Sequence, residues 1–559
     1  MDRKTLLAFF LIALVLILMP YYMKLVAPQS QPAIQSDSTK VAFERQAEPV
    51  NDPVNSQNTE LVDSRNTTNA IAAQPSYSEH IINIETELYS AQLSNKNGGS
   101  FVSFILKKYR ATDTTSVQLV DNFNKNHLLF KAISIDGTSL ILDKTWEPNT
   151  KVSSIEVIDA SKSISFTTNV LGRTITKTLT FNPGSYQINV HLDLIKIGDQ
   201  LSQGTYDFVW NGGLPSTEKN KKDELSYYKA YVYQGDELSS EKLGKDKSFS
   251  ENYRGLTNWV AVRNKYFITA LIPDDKAVGA SLSGTYKTNL PHFDIAVKQQ
   301  ANSSNSFTLY LGPLKLDEVS ALNVGLEKSM SLGWSLIRPI SRGVLAALVF
   351  LHKFIPNYGV VLIVFSILVK VLVYPLTKKS YQSMRAMGSL QPKIQALKTK
   401  YAKDPQKLNK ATMALYKEEG VNPMGGCLPI LIQMPLLFAL FQVFRSTIEL
   451  RGEPFILWIN DLSAPDTLLE IGGFPLNILP LLMAVSMFIQ QKMMPTTAGP
   501  GQNKSMMYFM NIFMIFIFYR LPSGLNLYYT LFNVLTILQQ KYITPHDQPI
   551  AQTVGQKKK

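Results

Sequence analysis

The chain has one cysteine, Cys427, among 559 residues. That count excludes an intrachain disulfide and any cluster metal site built on thiolates. Six histidines are scattered along the chain, with no pair at ligand spacing. No Walker loop, HExxH helix or strand-borne GxSxG is present. The sequence therefore offers no catalytic residue, and no cofactor or metal is expected. The apolar runs near span length contain no Asp or Glu. An ion- or proton-coupled pump is expected to carry intramembrane acids. A solute transporter with an external binding domain is thus the weaker alternative, and no small-molecule substrate is expected.

Other features are abundant. The net charge is +13, which favours anionic surfaces such as lipid headgroups or RNA. Apolar residues gather at the start and after residue 340. Arg3 and Lys4 precede an apolar run from Thr5 to Met23, close to span length. No small-residue cleavage site follows, so residues 1–24 read as an uncleaved anchor with a cytoplasmic basic end. Residues 25–80 are rich in Ser, Gln, Asn, Pro and Thr and read as a disordered linker on the far side.

From 81 to 325 the reading is an all-β sandwich domain with a C-terminal helix. Ile175, Lys177, Leu179 and Phe181 alternate with Thr174, Thr176, Thr178 and Thr180. After Asn182-Pro183-Gly184-Ser185, Ile188, Val190 and Leu192 alternate with Gln187, Asn189 and His191. That pattern predicts a hairpin with one wet face and one dry face, and His191 as a solvated strand residue. Leu316, Val319, Leu322, Leu326 and Met330 predict one helix over Leu314–Leu332. Residues 326–357 include a basic, Trp-bearing amphipathic stretch, Trp334–Phe354, predicted to lie in the membrane interface.

Residues 358–545 hold five predicted spans: Tyr358–Leu376, Leu428–Phe444, Pro475–Gln491, Met506–Tyr519 and Leu525–Gln540. Loop charges place the lysine-rich 378–420 segment inside and the acidic 445–474 segment outside. With the anchor this makes six spans, with both termini cytoplasmic. The inner segment reads as a helical hairpin over 377–422, and 546–559 as a basic cytoplasmic tail. Lys370 lies within the first of the five. A cation at that depth is costly and marks a functional site by default. Ser366 lies one turn earlier on the same face. Gln433, Gln442, Asn511, Asn526, Tyr529, Thr530 and Asn533 are uncharged polar groups in the other spans; the simplest arrangement gathers them into a hydrated cavity, although helix-to-helix bonding would use the same side chains. Thirteen of the 17 methionines fall between Met384 and Met514, as suits a surface that accepts varied apolar partners.

Tyr374-Pro375-Leu376-Thr377-Lys378, Leu390-Gln391-Pro392-Lys393, Asn422-Pro423-Met424-Gly425-Gly426-Cys427-Leu428-Pro429, Gln433-Met434-Pro435 and Leu457-Trp458-Ile459-Asn460-Asp461 together resemble the YidC membrane protein insertase family. Gln491-Lys492-Met493 and Pro522-Ser523-Gly524-Leu525 add to the resemblance. The anchor and β domain are similar to the Gram-negative form, with the large domain periplasmic. The resemblance implies an inner-membrane insertase and chaperone, not an enzyme, with a five-helix core. It implies a cationic groove open to cytoplasm and lipid, formed by Lys370, Ser366, Gln433 and Tyr529. It further implies nascent membrane proteins as clients, and the Sec translocon, ribosomes and membrane lipids as partners. The family usually has Arg where this chain has Lys370. Lys keeps the charge but lacks the bidentate fork.

Overall fold

The computed structural model describes residues 78–543, apart from 112–114, 121–126, 246, 288–289, 302–304, 403, 422–427 and 494–503. The predicted anchor, nearly all of the predicted linker and the predicted basic tail lie outside the described residues.

Between Ile81 and Pro313 the period of two is realised as strands. The predicted hairpin pairs Arg173–Phe181 with Gln187–Asp193, in a register that sets Thr176 against Asp193 and Phe181 against Ile188. Ile175, Lys177, Leu179 and Phe181 are buried, as are Ile188, Val190 and Leu192. The threonines between them form a wet face on which Thr178 and Ser165 hydroxyls meet at 2.8 Å. Gly184 closes the turn at φ 62°, a conformation that costs a residue without Cβ little. His191 is on that wet face, its Nδ1 2.8 Å from the Ser306 hydroxyl.

The hairpin sits within a 14-stranded sheet; a five-stranded sheet, built on Ile81–Thr86, Tyr89–Ser94 and Ser100–Arg110, packs against it. Tyr89 meets Tyr186, and Phe101 meets Trp210, each at a ring separation of 6.4 Å. Such aromatic contacts between inner faces are what make the two sheets a sandwich. A short helix, α1 (Lys221–Glu224), interrupts the strands.

The predicted helix Leu314–Leu332 is corrected: it is two pieces. α2 spans Leu316–Ala321, and a 3-10 turn spans Leu326–Ser329. Asn323 and Gly325 stand between them at φ 54° and 77°, left-handed values that no right-handed helix can pass through. The apolar stripe survives the break, because Val319, Leu326 and Met330 remain buried. α3 (Arg338–His352) follows, with Pro339 in its first turn. It turns Val344, Leu345 and Leu348 inward and Phe350 outward.

α4 (Tyr358–Ser389) is longer than the predicted span. It runs through Pro375, where Thr377 donates its hydroxyl to the Val373 and Tyr374 carbonyls at 3.1 Å. Its far half is therefore the first arm of the predicted cytoplasmic hairpin, with α5 (Gln391–Lys400) and α6 (Pro405–Glu418). Pro392 stands in the first turn of α5, where its missing N–H is harmless, just after the break that separates α4 from α5. Asp404 caps α6 by accepting from the Lys407 amide at 3.0 Å. Tyr381, Met384, Met387, Leu390, Ile394 and Tyr416 give this hairpin a small core of its own.

α7 (Leu428–Ser446), α8 (Leu479–Met493), α9 (Lys504–Phe518) and α10 (Ser523–Leu538) complete the core. The predicted start at Pro475 is also corrected. Phe474–Asn477 pairs with Thr467–Ile471 as a β-hairpin, and the helix begins after it. Within α4, Tyr358–Lys378 has 21 residues of mean hydropathy 2.5, enough by length and composition to cross a bilayer. Within the described residues α8 and α9 cover 15 residues each, and α10 runs on through a π-helical turn, Gln539–Ile543.

Candidate functional site

The helical part is apolar outside and polar within. Val371 and Leu372 of α4, Val485 and Ile489 of α8, and Phe509, Ile512 and Phe516 of α9 face outward. Ser366, Lys370, Ser486, Asn511, Asn526, Asn533 and Thr536 are buried. In water that arrangement would be unfavourable; in hydrocarbon it is the favoured one.

Lys370 sits at the seam of α4 and α10, only 8% exposed. Its ammonium donates to the Thr536 hydroxyl at 2.7 Å and stands 4.5 Å from the centre of the Phe532 ring. Thr536 in turn donates to the Phe532 carbonyl at 2.7 Å, one turn back. Its own proton is thus spent on the helix, and an oxygen lone pair is left for the ammonium. Among the described residues no carboxylate pairs with Lys370. Two of its three N–H donors have no hydrogen-bond partner there.

The other predicted groove residues take separate places. Ser366 is wholly buried and donates to the Leu362 carbonyl of its own helix at 2.7 Å. Gln433 of α7 stands beside the hydroxyls of Tyr528 and Tyr529 of α10. The Gln433 Nε2 and both phenol oxygens are buried without a hydrogen-bond partner among the described residues. No hydrogen bond joins any of them to Lys370. Two polar sets therefore line α10, a phenol–amide set on one turn and the ammonium two turns further on. Thr536 and Phe532 were missed by sequence reasoning. Their i, i+4 spacing on one face of α10 could have found them, had a partner for Lys370 been sought there. Asn533 and Asn511 are used between helices, bonding Ser486 at 3.1 Å and Gln491 at 2.9 Å. Among the described residues no group of three His, Cys, Asp or Glu side chains could hold a metal ion.

The end of the core next to the β domain is held by charge. Asp223 of α1 receives Arg445 of α7, with Nε at 3.2 Å, and Lys265 at 3.0 Å. Burial raises the Asp223 carboxyl, but Lys265 and Arg445 outweigh it and hold it below the usual range. Arg451 pairs with Glu218 at 2.8 Å. Glu449, pushed up by burial, accepts from the Leu316 amide at 3.4 Å.

An outward apolar helical core with a buried cation, fastened to a large β domain, defines a helical membrane protein with an extramembrane domain. A family model described as the 60Kd inner membrane protein matches residues 350–549, and one described as the YidC periplasmic domain matches 81–342. The membrane protein insertase YidC of Chlorobium luteolum is 36% identical over 97% of this chain and 95% of its own. That of Chlorobium phaeovibrioides is 36% identical over 100% of this chain and 99% of its own. A solved structure of an active YidC insertase aligns with 84% of this chain and 95% of that one, at 19% identity and a TM-score of 0.36. The chain belongs to the YidC membrane protein insertase family.

Proposed function

We propose that this protein inserts nascent inner-membrane proteins and helps them fold, alone or beside the Sec translocon, with ribosomes delivering clients to its cytoplasmic face. Both termini are cytoplasmic and the β domain is periplasmic. Lys370 draws in the hydrophilic, often acidic, end of a client. Ser366, Gln433 and Tyr529 line the route, and the client helix leaves along α7 and α9 into lipid. The observation that carries this reading is the ammonium at the α4–α10 seam, with one hydroxyl partner and two donors to spare.

The energetics need no covalent step and no nucleotide. A charged tail in hydrocarbon costs several kcal/mol per charge. A client carboxylate that replaces the Thr536 and Phe532 contacts gains a full opposite charge in a low-dielectric site. Partitioning of the client's apolar span, at about 0.8 kcal/mol per buried methylene, drives the step forward.

The test is insertion of a short, acid-tailed reporter into membranes depleted of the endogenous insertase. Lys370→Arg should retain insertion and Lys370→Glu should abolish it. Full activity of Lys370→Glu would overturn the electrostatic role.

A further inference from the structure

Residues 447–478, between α7 and α8, form a built structure at the core end that adjoins the β domain. The Ser523 amide donates to the Ala464 carbonyl at 2.7 Å, and Gly524 to Leu462 at 3.0 Å, so the segment seals the start of α10. Asn477 donates to the Tyr519 carbonyl at 2.6 Å, after the end of α9. Asp466 accepts from the amides of Ile478 and Leu479 at 2.9 and 2.6 Å, and from the Trp458 indole at 3.1 Å. Asn357, just before α4, reaches the Pro454 and Phe455 carbonyls at 3.4 Å.

The outer side of this fixed segment is apolar. Leu457 is 81% exposed and Ile471 is 64% exposed, with Ile456, Leu468, Leu469 and Phe474 also open. Glu470 is the one charged residue of the hairpin Thr467–Asn477. A soluble face held so firmly would be expected to carry charge. The patch is also continuous with surface that meets lipid. The hairpin runs directly into α8, whose Leu481, Leu482, Val485 and Ile489 point outward. Phe354, exposed just beyond the end of α3, leads into Asn357 and so to the Pro454–Phe455 turn.

We propose that Ile456–Leu457 and the tip Leu468–Phe474 lie in the headgroup–acyl boundary of the leaflet beneath the β domain, covered by lipid of the same bilayer. The rim lengthens the apolar surface beyond the ends of α8 to α10. It thereby fixes the height at which these helices sit. Lipid is the occupant because the patch continues the lipid-facing belt and offers almost no charge for a polar partner to read. The inference rests on the membrane placement of the core and not on insertion activity.

The full chain carrying Cys427→Ser would receive single nitroxide labels at Leu457→Cys, Ile471→Cys and, as a wet control in the β domain, Ile195→Cys. Ile195 is 85% exposed. In nanodiscs of phospholipid alone, labels at 457 and 471 should collide several-fold less often with a water-soluble nickel chelate, and more often with oxygen, than the label at 195. Equal access of nickel chelate to all three sites would overturn the proposal. So would protection that appears only when a second membrane protein is present. Since the reading is spectroscopic, a variant inactive in insertion but protected at 457 and 471 supports the anchor alone.

Discussion

Among the described residues three lysines are buried: Lys265 is paired with Asp223, while Lys177 and Lys370, one in each half, have no carboxylate partner and are held differently. Lys177 of the β domain donates to the Asn97 and Leu128 carbonyls, the latter at 2.8 Å. It lies 5.6 Å from the Trp146 ring and 5.9 Å from Phe208. Lys370 has one hydroxyl and one ring. Lys177 is held by backbone carbonyls in the turns that precede Ser100–Arg110 and Leu129–Ser134. Lys370 is held by side chains on a single face of one helix, which rotamer changes can withdraw. A buried cation held by two backbone carbonyls is structural; one held by a single hydroxyl at a helix seam can take a passing partner.

The largest effect should separate the two sites outright. Lys370→Glu is expected to abolish insertion of an acid-tailed reporter, whereas Lys177→Met should leave it near normal in the same membranes. Next in size is the charge cluster that joins the two halves. Asp223→Ala strands Arg445 and Lys265 together, and should lower stability to unfolding by about 2 kcal/mol in a denaturant melt, a figure reduced from the buried-pair range for partial exposure. Asp223→Glu should restore most of it.

A smaller effect concerns pH. Burial lowers Lys177 from its usual 10.5 to about 7. Between those values the unfolded chain binds the extra proton, so stability should rise as pH climbs from about 7 to 10.5. His127, lowered by burial to about 4, acts likewise at lower pH. Its share is present above about 6.5 and is lost as pH falls towards 4. Melts of the full chain followed by tryptophan emission would show both slopes, and Lys177→Met should remove only the upper one. The smallest effect is at Thr536. Thr536→Val should slow insertion roughly fivefold, about 1 kcal/mol of lost positioning, and Thr536→Ser should recover it.

The sequence made the β half legible wherever one face is wet. The alternation around Thr174–Phe181 even put Lys177 on the dry side, although nothing there said what would satisfy it. Its partners, Asn97 and Leu128, are 80 and 49 residues away, and no local pattern encodes such a meeting. In the helical half, runs of apolar residues located the helices, and the lone cation marked α4. Periodicity failed where backbone geometry overrode it. A left-handed Asn323 and Gly325 split a well-formed apolar stripe, and the paired strands at Phe474–Asn477 took residues that hydropathy assigned to a helix. The Asp223 cluster was hidden because Arg445 lies 222 residues further on.

The most direct measurement places a photocrosslinking amino acid at position 532, beside the Lys370 ammonium, in membranes translating the acid-tailed reporter. The account predicts an adduct with the reporter's polar tail during insertion, strongly reduced when Lys370→Glu is added. A reporter that inserts efficiently while its tail never crosslinks there, or crosslinks equally without the positive charge, would contradict it.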